Sequence, residues 1–157
     1  TLEEDKHYME LALEQARLAA NLNETPIGAV LVWEGEVVAS AFNRRELDRI
    51  ATAHAEILAI NEACRKLGGW RLHKATLYVT LEPCIMCAGL MHQARVARCV
   101  YGAPDQKAGA VGTLYDIHAD TRLNHQFEAT GGVCEEECVA LLRDFFRARR
   151  KKEKERE

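Results

Sequence analysis

Apolar positions in "EEDKHYMELALEQARLAANLNE" (residues 3–24) recur at spacings of three and four: Tyr8, Met9, Leu11, Ala12, Ala16 and Ala19. That period predicts an amphipathic helix. In "PIGAVLVWEGEVVASAFN" (26–43) the period changes, and two β-rich runs, Ile27 to Trp33 and Val37 to Phe42, flank Glu34-Gly35. They predict a hairpin closed by a tight glycine turn. "RRELDRIATA" is polar and reads as loop. "HAEILAINEACRKLGG" returns to helical period and stops at Gly68, a C-terminal glycine signal. "ATLYVTLEP" is a strand ended by Pro83, "CIMCAGLMHQA" a helix, and "RCVYGA" a further strand. A strand, a helix and a strand with short connections imply a parallel pair with a covering helix. The stretch from Pro104 to Gln126 is too long to be a mere connector, and loops of that length in a compact domain are usually functional. "CEEECVALLRDFFRARRKKEKERE" predicts a last helix over about 134–155, with a highly charged end. An antiparallel hairpin, a parallel βαβ unit and helices on both faces predict an α/β fold, a three-layer α/β/α sandwich on a mixed sheet.

Length and composition leave this picture standing. The chain has 157 residues, which suits a single domain over 1–157. Nearly half the residues are apolar, enough for a core without staples. The formal charge of −3 argues against wholesale attraction to nucleic acid or membrane, while allowing a local patch. The apolar run Gly28 to Trp33 is far too short to span a bilayer. Glu3, Glu4 and Asp5 give the start of the chain the wrong charge for an export signal. The expectation is a cytoplasmic protein without a membrane partner, in a reducing compartment. There Cys-x-x-Cys favours metal or redox chemistry over a structural disulfide.

The chemistry gathers in "TLEPCIMC" (80–87) and "TAHAEIL" (52–58). Cys84 and Cys87 stand three apart at the start of a predicted helix, so they point the same way. His54 opens another helix. Helix N-termini favour the thiolate form that a metal needs. Together the three make a His-Cys-Cys set with a fourth position left open, as catalytic zinc requires. Glu56, two residues beyond His54, supplies the acid–base group that hydrolytic deamination needs. His-Ala-Glu followed by Pro-Cys-Ile-Met-Cys is the signature of the zinc-dependent nucleobase deaminases. A structural zinc knot is the rival reading. It would usually carry a fourth Cys or His, and none stands near in sequence.

Beyond the motif, "PIGAVLV", "FN", "TAHAEI", "ATLYVTLEPCIMCAG", "YGAPDQKAGAVGTL", "NH" and "LLRDFFRARR" make almost the whole chain resemble the bacterial tRNA-specific adenosine deaminases. The resemblance implies a cytidine-deaminase-like sandwich with a five-stranded sheet, and conversion of the wobble adenosine of an arginine tRNA to inosine. It further implies a homodimer with one zinc ion per subunit and a tRNA anticodon stem-loop as partner. On this sequence it assigns zinc to His54, Cys84 and Cys87, and proton shuttling to Glu56. It assigns contacts with the bound nucleoside to Asn43, Ile27 and the Ala55 backbone, and places Asp105, Lys107 and Gly109 in a loop beside the RNA. Asn124 and His125 match a pair near the site's mouth. Ala51, where the family often has Pro, and Cys99 and Cys134 depart from the family pattern.

The remaining residues divide between bland and sharp readings. Cys64 and Cys99 read as core, and Cys134 and Cys138 as half-buried small residues rather than a second metal site, since no His accompanies them. Met86 and Met91 read as core, with a dimer seam as the family alternative. Residues 143–157 hold eight basic and four acidic side chains, a net +4. Such a run is usually a solvated helix end. Phe145 and Phe146 among the basic residues suit single-stranded RNA instead, which makes Phe146, Arg149 and Arg150 candidate contacts, while the sequence leaves open which of the two rings meets RNA and which is a core residue anchoring the helix. Deamination of a free nucleobase and a catalytically silent RNA-binding dimer are the two rival functions.

Overall fold

The structure is a computed structural model that describes residues 1–156; Glu157, the last residue of the basic run, lies outside the described residues. Five helices and five strands follow one another as α1 (Leu2–Asn21), β1 (Gly28–Trp33), β2 (Glu36–Phe42), α2 (Arg45–Asp48), α3 (Ala55–Leu67), β3 (Ala75–Leu81), α4 (Ile85–Gln93), β4 (Arg98–Ala103), β5 (Glu128–Thr130) and α5 (Glu135–Arg156). The strands form one mixed sheet in the order β2-β1-β3-β4-β5. β1 pairs antiparallel with both β2 and β3, while β4 runs parallel to β3 and β5. The expected α/β sandwich on a mixed five-stranded sheet is therefore present. Two elements differ from the sequence reading. The polar stretch after Asn43 contains the short helix α2, and the fifth strand lies at 128–130, beyond the long loop.

Alternation along the strands builds the two cores. Ala29 and Leu31 of β1 join Leu77, Val79 and Cys99 on one face, against Ala59, Ile60 and Ala63 of α3 and Ala88 and Met91 of α4. Val30 and Val32 join Tyr78 and Val100 on the other, against Met9, Ala12 and Leu13 of α1 and Cys138 of α5. Burying one such large apolar side chain is worth ~1.5–3 kcal/mol. Glu34 and Gly35 both have positive φ, 49° and 82°, the primed turn that matches strand twist in a two-residue hairpin. Gly28 is required by closeness, since a Cβ there would sit 2.0 Å from the Ala12 carbonyl oxygen of α1. α1 is also pinned by charge. Arg98 donates to both carboxylate oxygens of Asp5 at 2.9 and 2.7 Å, and the Tyr78 hydroxyl donates at 2.8 Å. Burial pushes the Asp5 carboxyl up, but these hydrogen bonds and the Arg98 charge outweigh it and hold it below its ordinary value.

Cys99 and Met91 are buried, as expected, while Cys64 is half-buried and packs against the core edge. Cys138 is fully buried, correcting the half-buried reading, because it lies under Gly102 of β4; Cys134 is half-buried. Met86 is half-buried beside Ile85, which is 57% exposed, on the outward face of α4. Among the described residues no helix is long and apolar enough to cross a membrane.

Candidate active site

Two helices begin at one place. His54 caps the N-terminus of α3 and Cys84 that of α4, and neither side chain spends itself on a capping hydrogen bond. Cys84 follows β3 after Glu82 and Pro83, so the site lies outside the carboxyl end of a parallel strand, where open α/β sheets bind ligands. His54 Nδ1 stands 3.8 Å from Cys84 Sγ and 3.5 Å from Cys87 Sγ. The three donor atoms all lie within 4.8 Å of one another. A tetrahedral zinc ion, at ~2.3 Å from sulfur and ~2.0–2.1 Å from nitrogen, holds such ligands about 3.5 Å apart. Donor type and spacing therefore fit zinc.

Electrostatics favour a thiolate at Cys84, with Cys87 holding a proton toward it. The proton held by Cys87, above all, brings the Cys84 thiol down to about 4, with the His54 ring adding to it and burial opposing. Cys87 is pushed up by its hydrogen bond with Cys84 and by burial. The hydrogen bond with Cys84, with the charges of Glu56 and Cys84, raises His54 against the opposing effect of burial. Glu56, in the first turn of α3, is 4% exposed. Burial holds its carboxyl above the ordinary carboxylate range, the direction that suits a group exchanging protons near neutrality.

These residues floor a pocket of about 260 Å³. One wall is Thr25, Ile27, Asn43 and Arg45; the other is Leu81, Glu82, Asp105 and Ala108; Phe146 of α5 stands at its edge. The Asn43 side chain is 6% exposed, donates to the Thr25 carbonyl at 3.3 Å and accepts from the Arg45 N–H at 3.1 Å. Ala55, the first residue of α3, presents one of the N–H groups that lack an intrahelical acceptor. Asp105 turns its own loop by accepting from Lys107 and Ala108 N–H at 3.0 and 3.1 Å.

Of the residues singled out in the sequence, His54, Glu56, Cys84, Ile27, Asn43, Ala55, Asp105 and Phe146 meet around this pocket, with Cys87 buried beneath it. Lys107 is exposed beside it rather than on its wall. Asn124 is exposed, and His125 donates from Nε2 to the Val96 carbonyl at 2.8 Å, beyond the C-terminal end of α4. Both stand away from the pocket walls of their own chain. Arg149 lies over the Phe145 ring, 5.2 Å from its centroid, and Arg150 is exposed.

Sequence reasoning missed three wall-building residues. Glu82 is 2% exposed and accepts from the N–H groups of Asp105, Val111 and Thr113, each at 3.1 Å, and from the Thr113 hydroxyl. Burial pushes its carboxyl up, and these bonds bring it below its ordinary value. Gly109 is required here, because a Cβ would meet Glu82 Oε2 at 2.4 Å. Glu24, 1% exposed, accepts from the N–H groups of Glu46 and Leu47 at 3.0 and 2.9 Å. A carboxylate at the end of an apolar strand, Glu82, and one two residues before Pro26, Glu24, were the available signals. Arg45 carried none.

Comparison with known proteins agrees with this geometry. A family model described as MafB19-like deaminase matches residues 3–150. The tRNA-specific adenosine deaminase of Bacillus subtilis is 52% identical over 151 residues, covering 96% of this chain and 94% of that protein. A solved structure from work on A-to-I editing by tRNA:A34 deaminases at the wobble position superposes with a TM-score of 0.83 at 46% identity, over 87% of this chain and 99% of that one. A guanine deaminase from Nitrosomonas europaea superposes at 0.78 with 25% identity, over 89% of this chain and 83% of that one. With the motif, the fold and near-full-length identity in accord, the chain belongs to the deaminase family, in its branch of bacterial tRNA-specific adenosine deaminases.

Proposed function

We propose that this protein hydrolytically deaminates adenosine to inosine at the wobble position of tRNA, an arginine tRNA in particular, using one zinc ion per subunit. The observation that carries the reading is the His54–Cys84–Cys87 triangle beneath a pocket with Glu56 buried beside it. His54, Cys84 and Cys87 would hold the zinc, which when bound supplies Lewis acidity that activates water at neutral pH. Glu56 takes a proton from the attacking water as it adds to C6 of adenine. It delivers that proton to N1 and then carries the proton of the new C6 hydroxyl to the amino nitrogen, so that the C6–N bond breaks, ammonia leaves and a carbonyl remains. Such proton transfer is worth ~10²–10⁴-fold. Ile27 packs the base, the Asn43 amide and the Ala55 N–H orient the nucleoside, and Asp105 and Phe146 border the entering strand. A loop base is the cheapest to extrude, because unstacking costs a few kcal/mol and no pair need break.

The rest of the molecule supports an RNA substrate, and the cytoplasm is the compartment this reading implies. α5 brings Phe146 to the pocket and then runs on to Arg156 with mostly basic side chains, which a free nucleobase does not need. The buried carboxyl of Glu56 argues against a silent binder. The outward apolar residues at the start of α4, Ile85 and the half-buried Met86, are the surface we assign to homodimer contact.

The test offers the purified protein an arginine-tRNA anticodon stem-loop, free adenosine, free cytidine and free guanine. Inosine formed in the RNA alone is the expected result, with about one zinc per chain and loss of the metal in Cys87→Ala. Deamination of a free base alone, or no product with any substrate from the zinc-loaded protein, would overturn the reading.

A further inference from the structure

We infer that Arg45 binds the backbone phosphate next to the nucleotide that enters the pocket, and that Glu24 is the positioning residue that holds Arg45 there. The inference rests on the RNA reading above and adds to it a residue that separates a nucleic-acid strand from a free base.

Arg45 is the one Lys or Arg side chain among the described residues that line the pocket. Its guanidinium is uncommitted. The nearest carboxylate is Glu46 Oε1 at 3.9 Å, with both side chains more than half exposed, and such a surface pair contributes little. Its backbone, in contrast, is fixed. The Arg45 N–H donates to Asn43 Oδ1, and the next two N–H groups, of Glu46 and Leu47, end on the Glu24 carboxylate. Asn43 lines the same pocket, so one bond ties the placement of Arg45 to a residue beside the nucleoside. Burying a carboxylate costs several kcal/mol unless its oxygens are satisfied. Among the described residues no cation pairs with Glu24 in a salt bridge; the first turn of α2 supplies its donors. Those N–H groups are thereby occupied, and the guanidinium is what α2 still offers an anion.

The ligand class follows from the position. An RNA strand entering the pocket carries a phosphate on each side of the target nucleotide, and a free base carries none. A guanidinium fork matches two phosphate oxygens at once. Arg45 therefore contributes to binding the strand rather than to the chemical step, and its loss falls on KM.

The test measures deamination kinetics of the anticodon stem-loop at several salt concentrations with wild type, Arg45→Ala, Arg45→Lys, Glu24→Gln and Arg65→Ala, a control for charge removed elsewhere, at the far end of α3. Two further stem-loops each carry a neutral methylphosphonate at one phosphate flanking the target. Arg45→Ala should raise KM about tenfold with kcat within about twofold, and flatten the salt dependence of log KM by about 0.7, the contribution of one single-strand phosphate. Arg45→Lys should recover part of the loss and Arg65→Ala should change little. One methylphosphonate should raise the wild-type KM yet add nothing in Arg45→Ala, the non-additivity of groups that touch. Glu24→Gln should weaken the same coupling while zinc content holds. Full additivity with both methylphosphonates, an unchanged KM, an equal effect of Arg65→Ala, or a fall in kcat at constant KM would each overturn the inference alone. A wild type that leaves the stem-loop unedited would overturn the RNA reading, and this inference with it.

Discussion

The floor of the pocket and its rim are built on different terms. The floor comes from two helix starts. His54 and Glu56 lie within three residues of each other, as Cys84 and Cys87 lie within four. The rim is assembled from β1's approach, α2, the 104–113 loop and α5, segments that span most of the chain. Its two walls are tied down by Glu24 and Glu82, buried carboxylates that accept from backbone N–H groups of helix α2 and of the 104–113 loop respectively. The floor is thus rigid through regular helix geometry and burial, as proton transfer requires. The rim is shaped by a few long-range hydrogen bonds, which leaves its exposed tips free to suit a substrate.

The sharpest way to break this division is Glu56→Gln. If chemistry resides in the floor, the substitution lowers kcat by ~10²–10⁴ and leaves zinc content and KM for the stem-loop near wild type. Single-turnover deamination with metal analysis of the same sample reads both. A loss of only a few-fold would move the acid–base role out of the floor.

The same contrast explains what could be read from the sequence. The floor was legible because its residues sit at helix-start spacings beside Pro83, and helix α3 announces its end at Gly68, which adopts a φ of 73°. The sheet was legible through the alternation in β1 and β3. β5 was not: three residues, Glu128, Ala129 and Thr130, carry no period, and only pairing with Arg98, Cys99 and Val100 makes them a strand. α2 has four residues, too few for a helical period, and its partner Glu24 is 22 residues from Glu46. The choice between Phe145 and Phe146 depends on how α5 is rotated on the sheet. Cys138 buried beneath Gly102 fixes that rotation, placing Phe146 at the pocket and Phe145 under Arg149.

A middle-sized effect tests how the rim is held. Glu82→Ala removes the acceptor of three N–H groups and the Thr113 hydroxyl. Donors left without partners should cost about 2–4 kcal/mol in urea unfolding, and the freed Asp105–Ala108 wall should raise KM for the stem-loop. Glu82→Gln keeps one acceptor and should fall between. Zinc content should persist in both, because the ligands stand on α3 and α4 rather than on this loop. Unchanged stability would mean that the loop holds its own shape.

The smallest effect belongs to the end of α5. Arg149 stacks on Phe145 and Arg150 is exposed, and neither lines the pocket of its own chain. They can still neutralise phosphates farther along the strand. Replacing both with Ala should raise KM about threefold at physiological salt and flatten its salt dependence by up to about 1.4, at about 0.7 for each single-strand phosphate that is no longer neutralised. It should leave kcat and zinc unchanged, and circular dichroism should show the helix intact. Phe146→Ala in parallel removes a pocket-edge ring rather than a charge, so it should raise KM without altering the salt dependence. If the double variant edits the stem-loop as wild type does at both low and physiological salt, α5 beyond Phe146 is a solvated helix end. The rim then stops at the pocket edge, with Arg45 its cation.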